Sequence, residues 1–309
     1  MLKTGWLFVV APAAALLTGL TACSATPQPR RAAALTAADQ AALSAALSSL
    51  GSLAAACAAA PPSEFTSAGL ELLARHAPVW QSELAALTQL GLDGLSPVAA
   101  DSPACDSDGL RRDLGRVRTL SLRLTEAESG DQIGTETAPP SGVEAVAGAV
   151  ARAAAADEAI LFDSLAGAAP PAVEDLATLG SAQLADLALA EDQAGFVGEF
   201  LAARVNQAWA ESEELRAALS TAAALHRVRG QALASMAGDG HDSRQGAYRL
   251  EEAPTDADAA RARWAAAELA LASHYAALPG PNATDQMLTW QLVEAAAWGA
   301  DIPALPFLA

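Results

Sequence analysis

The chain has 309 residues, 52% of them hydrophobic but only 5% aromatic, and a formal net charge of -18. An acidic surface repels nucleic acid and anionic headgroups, which excludes DNA or RNA reading and polybasic membrane docking. Lys3 is the only lysine, so a Schiff-base mechanism has no residue to work with beyond the extreme N-terminus. Alanine and leucine dominate the apolar share, and both favour helix. Clean period-2 alternation is scarce, so the expected class is all-α with no substantial sheet.

The first element is a leader. Met1-Leu2-Lys3 is a short basic start, residues 6–20 are an apolar run, and Leu20-Thr21-Ala22-Cys23 closes it. The run is shorter than the roughly 20 residues a spanning helix needs. Ser24 to Arg31 reads as a flexible tether rather than a stop-transfer flank. An uncleaved membrane anchor is the competing reading. The Leu-Thr-Ala-Cys sequence resembles the bacterial lipobox. That resemblance implies a signal peptide over residues 1–22 and an acyl (palmitate-type) anchor on Cys23. It also implies a tether over 23–35 and a location on the extracytoplasmic face of the cell membrane. Attachment would then depend on the acyl chains, at about 0.8 kcal/mol per buried methylene.

An N-terminal helical module is expected over residues 36–170. Thr36 and Asp39 are spaced as a capping box for a helix reaching about residue 60, where Pro61-Pro62 stops it. A second helix is expected over 67–90 with a bend at Pro78. Residues 91–108 read as a loop, and further helices are expected at 109–125 and 143–165. Residues 129–140 form a polar linker. Cys57 and Cys105 remain as an even pair once Cys23 is assigned to lipid, and in an oxidising compartment a disulfide between them is expected. Two buried free thiols are the alternative.

A C-terminal unit spans residues 181–309. Ser181 is expected to cap a helix running to about residue 209, and Ser212 to open another reaching Met236. A long connection over 238–254 leads to a third helix capped by Thr255 to Asp258. Asn282, with Asp285 three residues later, opens a fourth that ends near Gly299. Two helix hairpins joined by one long crossover is the connectivity of ferritin-like four-helix bundles.

Reading these helices at 3-and-4 spacing places ionisable groups in the middle of apolar stripes. Glu191 interrupts the first stripe, His226 and Arg229 the second, and Glu268 the third. About a turn at Ala210, Glu191 and Arg229 are each nineteen residues away. About Gly280, Glu268 lies twelve residues before and Glu294 fourteen after. A central layer of Glu191, His226, Arg229, Glu268 and Glu294 follows. Its expected form is a buried ion-pair network, Glu191 with Arg229 and Glu268 with His226. The competing form is a metal site using Glu191, His226 and Glu268. A complete di-iron site lacks its Glu-x-x-His pairs, because Ala223 precedes His226 by three and Ala297 follows Glu294 by three. His76 is expected at a helix end and His241 in a polar loop, while His274 and Tyr275 are adjacent and cannot share a face. No phosphate-cradling loop, dinucleotide fingerprint or nucleophile elbow is present.

Four segments carry a family resemblance. Leu189 to Ala194 looks like a first-helix Glu-His motif with Asp192 in the place of His, and Leu225-His226-Arg227-Val228-Arg229 resembles a His-Arg-x-Arg run. Ala247-Tyr248-Arg249-Leu250 resembles a crossover Ala-Tyr-x-Leu, and Glu268 with Tyr275 to Leu278 resembles a third helix. Ala295 to Trp298 and Leu305-Pro306-Phe307 echo the end. On these motifs the C-terminal part resembles an actinobacterial ferritin-like family of unknown function. The resemblance implies the fold rather than an activity, and Asp192 in place of histidine weakens any metal site.

The expected function is therefore a lipid-anchored extracytoplasmic protein of no known activity that binds a partner or small ligand, with no cofactor and no catalytic residue. The alternative is a metal-binding protein or metal-dependent oxidase built on the bundle centre, with iron or another divalent metal. The protein or small-ligand partner is not named by the sequence.

Overall fold

The structure is a computed structural model that describes residues 35–59, 65–88, 104–126, 142–165, 169–209, 211–249, 253–278 and 283–304. The leader, Cys23 and the tether lie outside the described residues. So do the turn at Ala210, the linker 129–140, Gly280, the cap at Asn282 and the segment 305–307.

Among the described residues the regular structure is all helical: α1 (Ala37–Ala59), α2 (Ser67–Thr88), α3 (Ser107–Glu126), α4 (Gly142–Leu161), α5 (Ser181–Arg204), α6 (Ser212–Ala237), α7 (Ala257–Ala276) and α8 (Ala283–Ala297). A short 3-10 turn, Val173–Leu176, separates α4 from α5.

The start of α1 is a capping box. Asp39 donates its backbone N–H to Thr36 Oγ1 at 3.1 Å, and Thr36 donates its own to Asp39 Oδ2 at 3.3 Å. This satisfies two donors that a helix start otherwise leaves open. α1 has the length and apolarity to cross a membrane. Its leucines Leu43, Leu47, Leu50 and Leu53 are buried in a core with α2, α3 and α4. α3 is the clearest amphipathic element: Leu110, Leu114, Val117 and Leu124 face that core while Arg111, Arg112, Arg116, Arg118 and Arg123 face outward. Cys57 at the end of α1 is disulfide-bonded to Cys105 just before α3, with Cα atoms 4.6 Å apart.

Two helix-end expectations change. α2 runs through Pro78 to Thr88. Proline removes one internal bond there, and burial of the neighbouring Ala77 and Trp80 holds the turn together. His76 is consequently inside a helix, not at its end. It is 2% exposed, and its Nδ1 lies 3.0 Å from both carboxylate oxygens of Asp157 on α4. α5 takes its first helical residue at Ser181, with Gly180 as the cap position, whose N–H is held by Gln183 Oε1 at 3.0 Å.

The two halves share a core. α8 packs on α4, and Leu72 of α2 and Ala156 of α4 join a cluster containing Leu187, Leu233, Leu271 and Leu292. The segment after α8 lies on α2: Arg75 pairs with Asp301 at 2.5 Å, His76 Nε2 lies 2.9 Å from the Ile302 carbonyl, and Trp80 donates to the Ala304 carbonyl at 2.6 Å.

Candidate functional site

α5 and α6 form the closest helix pair, and small residues permit it. A side chain at Gly198 on α5 would come within 2.8 Å of Ala223 on α6 and of Trp264 on α7. At Gly230 on α6 it would meet the Ala188 carbonyl at 3.1 Å. This approach brings the polar residues of the stripes into one buried cluster.

Glu191 is its hub. His226 Nδ1 lies 2.6 Å from Glu191 Oε2, Arg229 Nε lies 3.1 Å from Glu191 Oε1, and the Tyr275 hydroxyl donates to the same Oε1. On the other side of the imidazole, His226 Nε2 lies 3.3 Å from Glu268 Oε1, and Gln291 of α8 donates to Glu268 Oε2. Arg229 Nη2 donates to the Tyr275 hydroxyl at 3.0 Å. The Arg229 guanidinium carbon also lies 5.2 Å from the centroid of the Trp290 ring, a cation–π distance. Glu191, His226, Arg229, Glu268, Tyr275 and Gln291 are all 4% exposed or less.

Electrostatics follow from that geometry. Burial alone would lower the His226 pKa, but hydrogen bonds to Glu191 and Glu268 overturn this and raise it to about 9. His226 is therefore an imidazolium at neutral pH and donates from both nitrogens. Burial likewise pushes Glu191 up, and His226, Arg229 and Tyr275 together outweigh it, holding the carboxyl below its usual range. Burial and the Glu191 charge lift Tyr275 well above an ordinary phenol. Two carboxylates thus face two cations.

The cluster does not fit a metal ion. Glu191 and Glu268 lie against opposite nitrogens of one ring, so the three groups cannot converge on a single ion. The ring has no free lone pair while both nitrogens are protonated, and Arg229 adds a permanent charge beside Glu191. No group of three or more His, Cys, Asp or Glu side chains placed to hold a metal occurs among the described residues.

Each expected residue of the central layer has a definite place. Glu191, His226, Arg229 and Glu268 come together, and Glu191 pairs with His226 as well as with Arg229. Glu294 does not join their hydrogen bonds among the described residues. It is half-buried, and burial with repulsion from Glu268 raises its pKa. Gln291 is the α8 member instead. It stands eleven residues after Gly280 against twelve before for Glu268, a better match in height than Glu294. His241 and His274 are exposed.

Asp192 points out of the cluster, as its position next to Glu191 requires. It accepts from Arg227 Nη1 at 2.6 Å and from the Tyr248 hydroxyl at 2.7 Å, tying the crossover segment to α5 and α6. The pair His76 and Asp157 is a second buried polar site. Burial pushes Asp157 above its ordinary range, against the hydrogen bond from His76, which lowers it. The sequence brings out Tyr275 only as the neighbour of His274 and in the family motif, and does not bring out Gln291 or the His76–Asp157 pair. Gln291 was detectable as the polar member of the face Met287, Leu288, Gln291, Leu292 and Ala295. His76 and Asp157 are 81 residues apart, and nothing local joins them.

Compared with protein-family models, curated proteins and solved structures, the chain matches none.

Proposed function

We propose that this chain is a membrane-anchored extracytoplasmic lipoprotein whose C-terminal helices form a ferritin-like four-helix bundle with internal cations in place of a metal centre. It acts as a non-catalytic binding or envelope protein. The single observation that carries the non-catalytic reading is His226, an imidazolium held between Glu191 and Glu268. A residue that donates from both nitrogens neither ligates a metal nor accepts a proton from a substrate. The ferritin-like reading draws on the motif resemblance and on four helices contributing to one polar centre. The exported location draws on the lipobox resemblance at Cys23. The Cys57–Cys105 disulfide supports it, since such bonds persist in oxidising compartments.

Fractionation with metal analysis tests both parts. The wild-type protein is expected in the membrane fraction after a high-salt wash and to carry acyl label that Cys23→Ser abolishes. Protein purified without chelator is expected to contain no stoichiometric iron, manganese or zinc. Acyl label that survives Cys23→Ser overturns the anchor, and one bound metal per chain overturns the non-catalytic centre.

A further inference from the structure

The geometry points to a binding site for a small, flat organic anion in the cleft between the two halves of the protein, where α3, α4 and α8 meet. The cleft encloses about 380 Å³, within the range of roughly 300–1,000 Å³ that small-molecule sites occupy. Part of its wall is apolar, made by Ala159, Pro171 and the indole of Trp290, with Thr289 beside them. Arg118 and Glu158 line it as well. An indole in an apolar wall offers a planar, aromatic body a surface to stack on.

Charge selects the rest of the ligand. Glu158 lies in the field of both Arg118 and Arg111, and the latter is stacked 4.0 Å over the Phe162 ring. The lining itself carries one guanidinium and one carboxylate, and Arg111 behind Glu158 offsets that carboxylate, leaving Arg118 as the cation an anionic ligand can meet. An anionic group on the ligand meets Arg118, whose planar fork suits carboxylate, sulfonate or phosphate oxygens. The apolar body then stacks toward Trp290. That indole also lies against Arg229, so the cleft and the buried cluster share a wall.

The site rests on the binding-protein reading above, and the two fail separately, because anchoring and metal content are measured without any ligand. The test uses the acylated full chain in phosphatidylcholine nanodiscs, with empty nanodiscs subtracted. The probes are naphthalene-2-sulfonate and its uncharged analogue naphthalene-2-sulfonamide, titrated calorimetrically. One sulfonate per chain is expected, bound about five- to ten-fold more tightly than the sulfonamide, as one charge-assisted contact at a partly solvated site allows. Arg118→Gln is expected to erase that preference while leaving the melting temperature and the sulfonamide affinity unchanged. Thr289→Trp, which fills the cleft from α8, is expected to abolish both. Equal affinity for the two probes, binding that survives Thr289→Trp, or no binding of either probe overturns the site.

Discussion

His226 and Arg229 occupy one face of α6, three residues apart, and both direct positive charge at Glu191. Removing two cations from water is costly, and only the surrounding hydrogen bonds make the arrangement sustainable. The consequence is a pH-dependent stability with a definite sign. The folded pKa of His226 is raised to about 9 from an unfolded 6.5. Its contribution is therefore fully present below pH 6.5 and lost as pH rises through 9, on the order of 3 kcal/mol in all. Glu191, held low, works in the opposite sense: its contribution is present above its unfolded pKa and lost as pH falls through the folded value. Urea unfolding at pH 6 and pH 9.5 measures the alkaline limb. Wild type is expected to weaken across that interval and His226→Gln to stay level. A level wild-type profile would refute the imidazolium. At this scale the sequence was legible where a charge broke an apolar stripe, as at Glu191, His226, Arg229 and Glu268. It was not legible where the partner was itself plausible in a core. Tyr275 looks like packing until its hydroxyl is seen on Glu191, and Gln291 is a neutral residue that only its place on an apolar face of α8 could single out.

Helix by helix, what decides the bundle is how closely backbones approach. Gly198 and Gly115 are both interior helix glycines, and local propensity treats them alike, each about 1 kcal/mol worse than alanine. Their surroundings differ. A Cβ at Gly198 lands 2.8 Å from Ala223 and from the Trp264 ring, while nothing lies within 4 Å of one at Gly115. Trp264 is 0% exposed and enclosed in a core cluster with Leu201, Leu215 and Leu219. Overpacking of that kind costs about 1–3 kcal/mol, which meets or exceeds the propensity gain. Gly198→Ala is therefore expected to be neutral to about 2 kcal/mol destabilising, and Gly115→Ala to stabilise by up to about 1 kcal/mol, in denaturant titrations. A stabilising Gly198→Ala would show that α5 and α6 are less tightly apposed. The helices themselves were readable from caps and periodicity, and the Thr36–Asp39 box opens α1 as its spacing suggests. Pro78 misled on His76, because a local breaker was overruled by the packing of α2 on α4. Leu161 Cα lies 2.4 Å from where a side chain at Gly69 would begin, a tertiary fit that no local rule contains.

For the molecule as a whole, the contacts between the two halves decide whether they behave as one body. The disulfide closes a loop of 48 residues within the N-terminal half and leaves the junction between halves to packing and hydrogen bonds. The junction combines the packing of α8 on α4 with polar contacts at α2, where Arg75, His76 and Trp80 all engage the segment following α8. Of these, Arg75 and Asp301 are well exposed, with side chains 56% and 79% accessible, so their pair contributes at most about 1 kcal/mol. His76 is the stronger tie, because its two nitrogens face α4 and the C-terminal segment at once: Asp157 on one side, the Ile302 carbonyl on the other. Asp157 is 0% exposed, and His76→Leu strands it without its partner. Breaking one side of a buried pair costs about 3–5 kcal/mol. The double variant His76→Leu with Asp157→Leu removes both polar groups and is expected to recover much of that loss. Hydrogen exchange separates a general loss of stability from a loosened junction. In the single variant, amides of α8 and of residues 300–304 are expected to lose protection before those of α5 and α6, which pack chiefly on each other. If α5 and α6 lose protection to the same extent as α8, the halves unfold as one unit, and the tie at His76 is no more than one core contact among many.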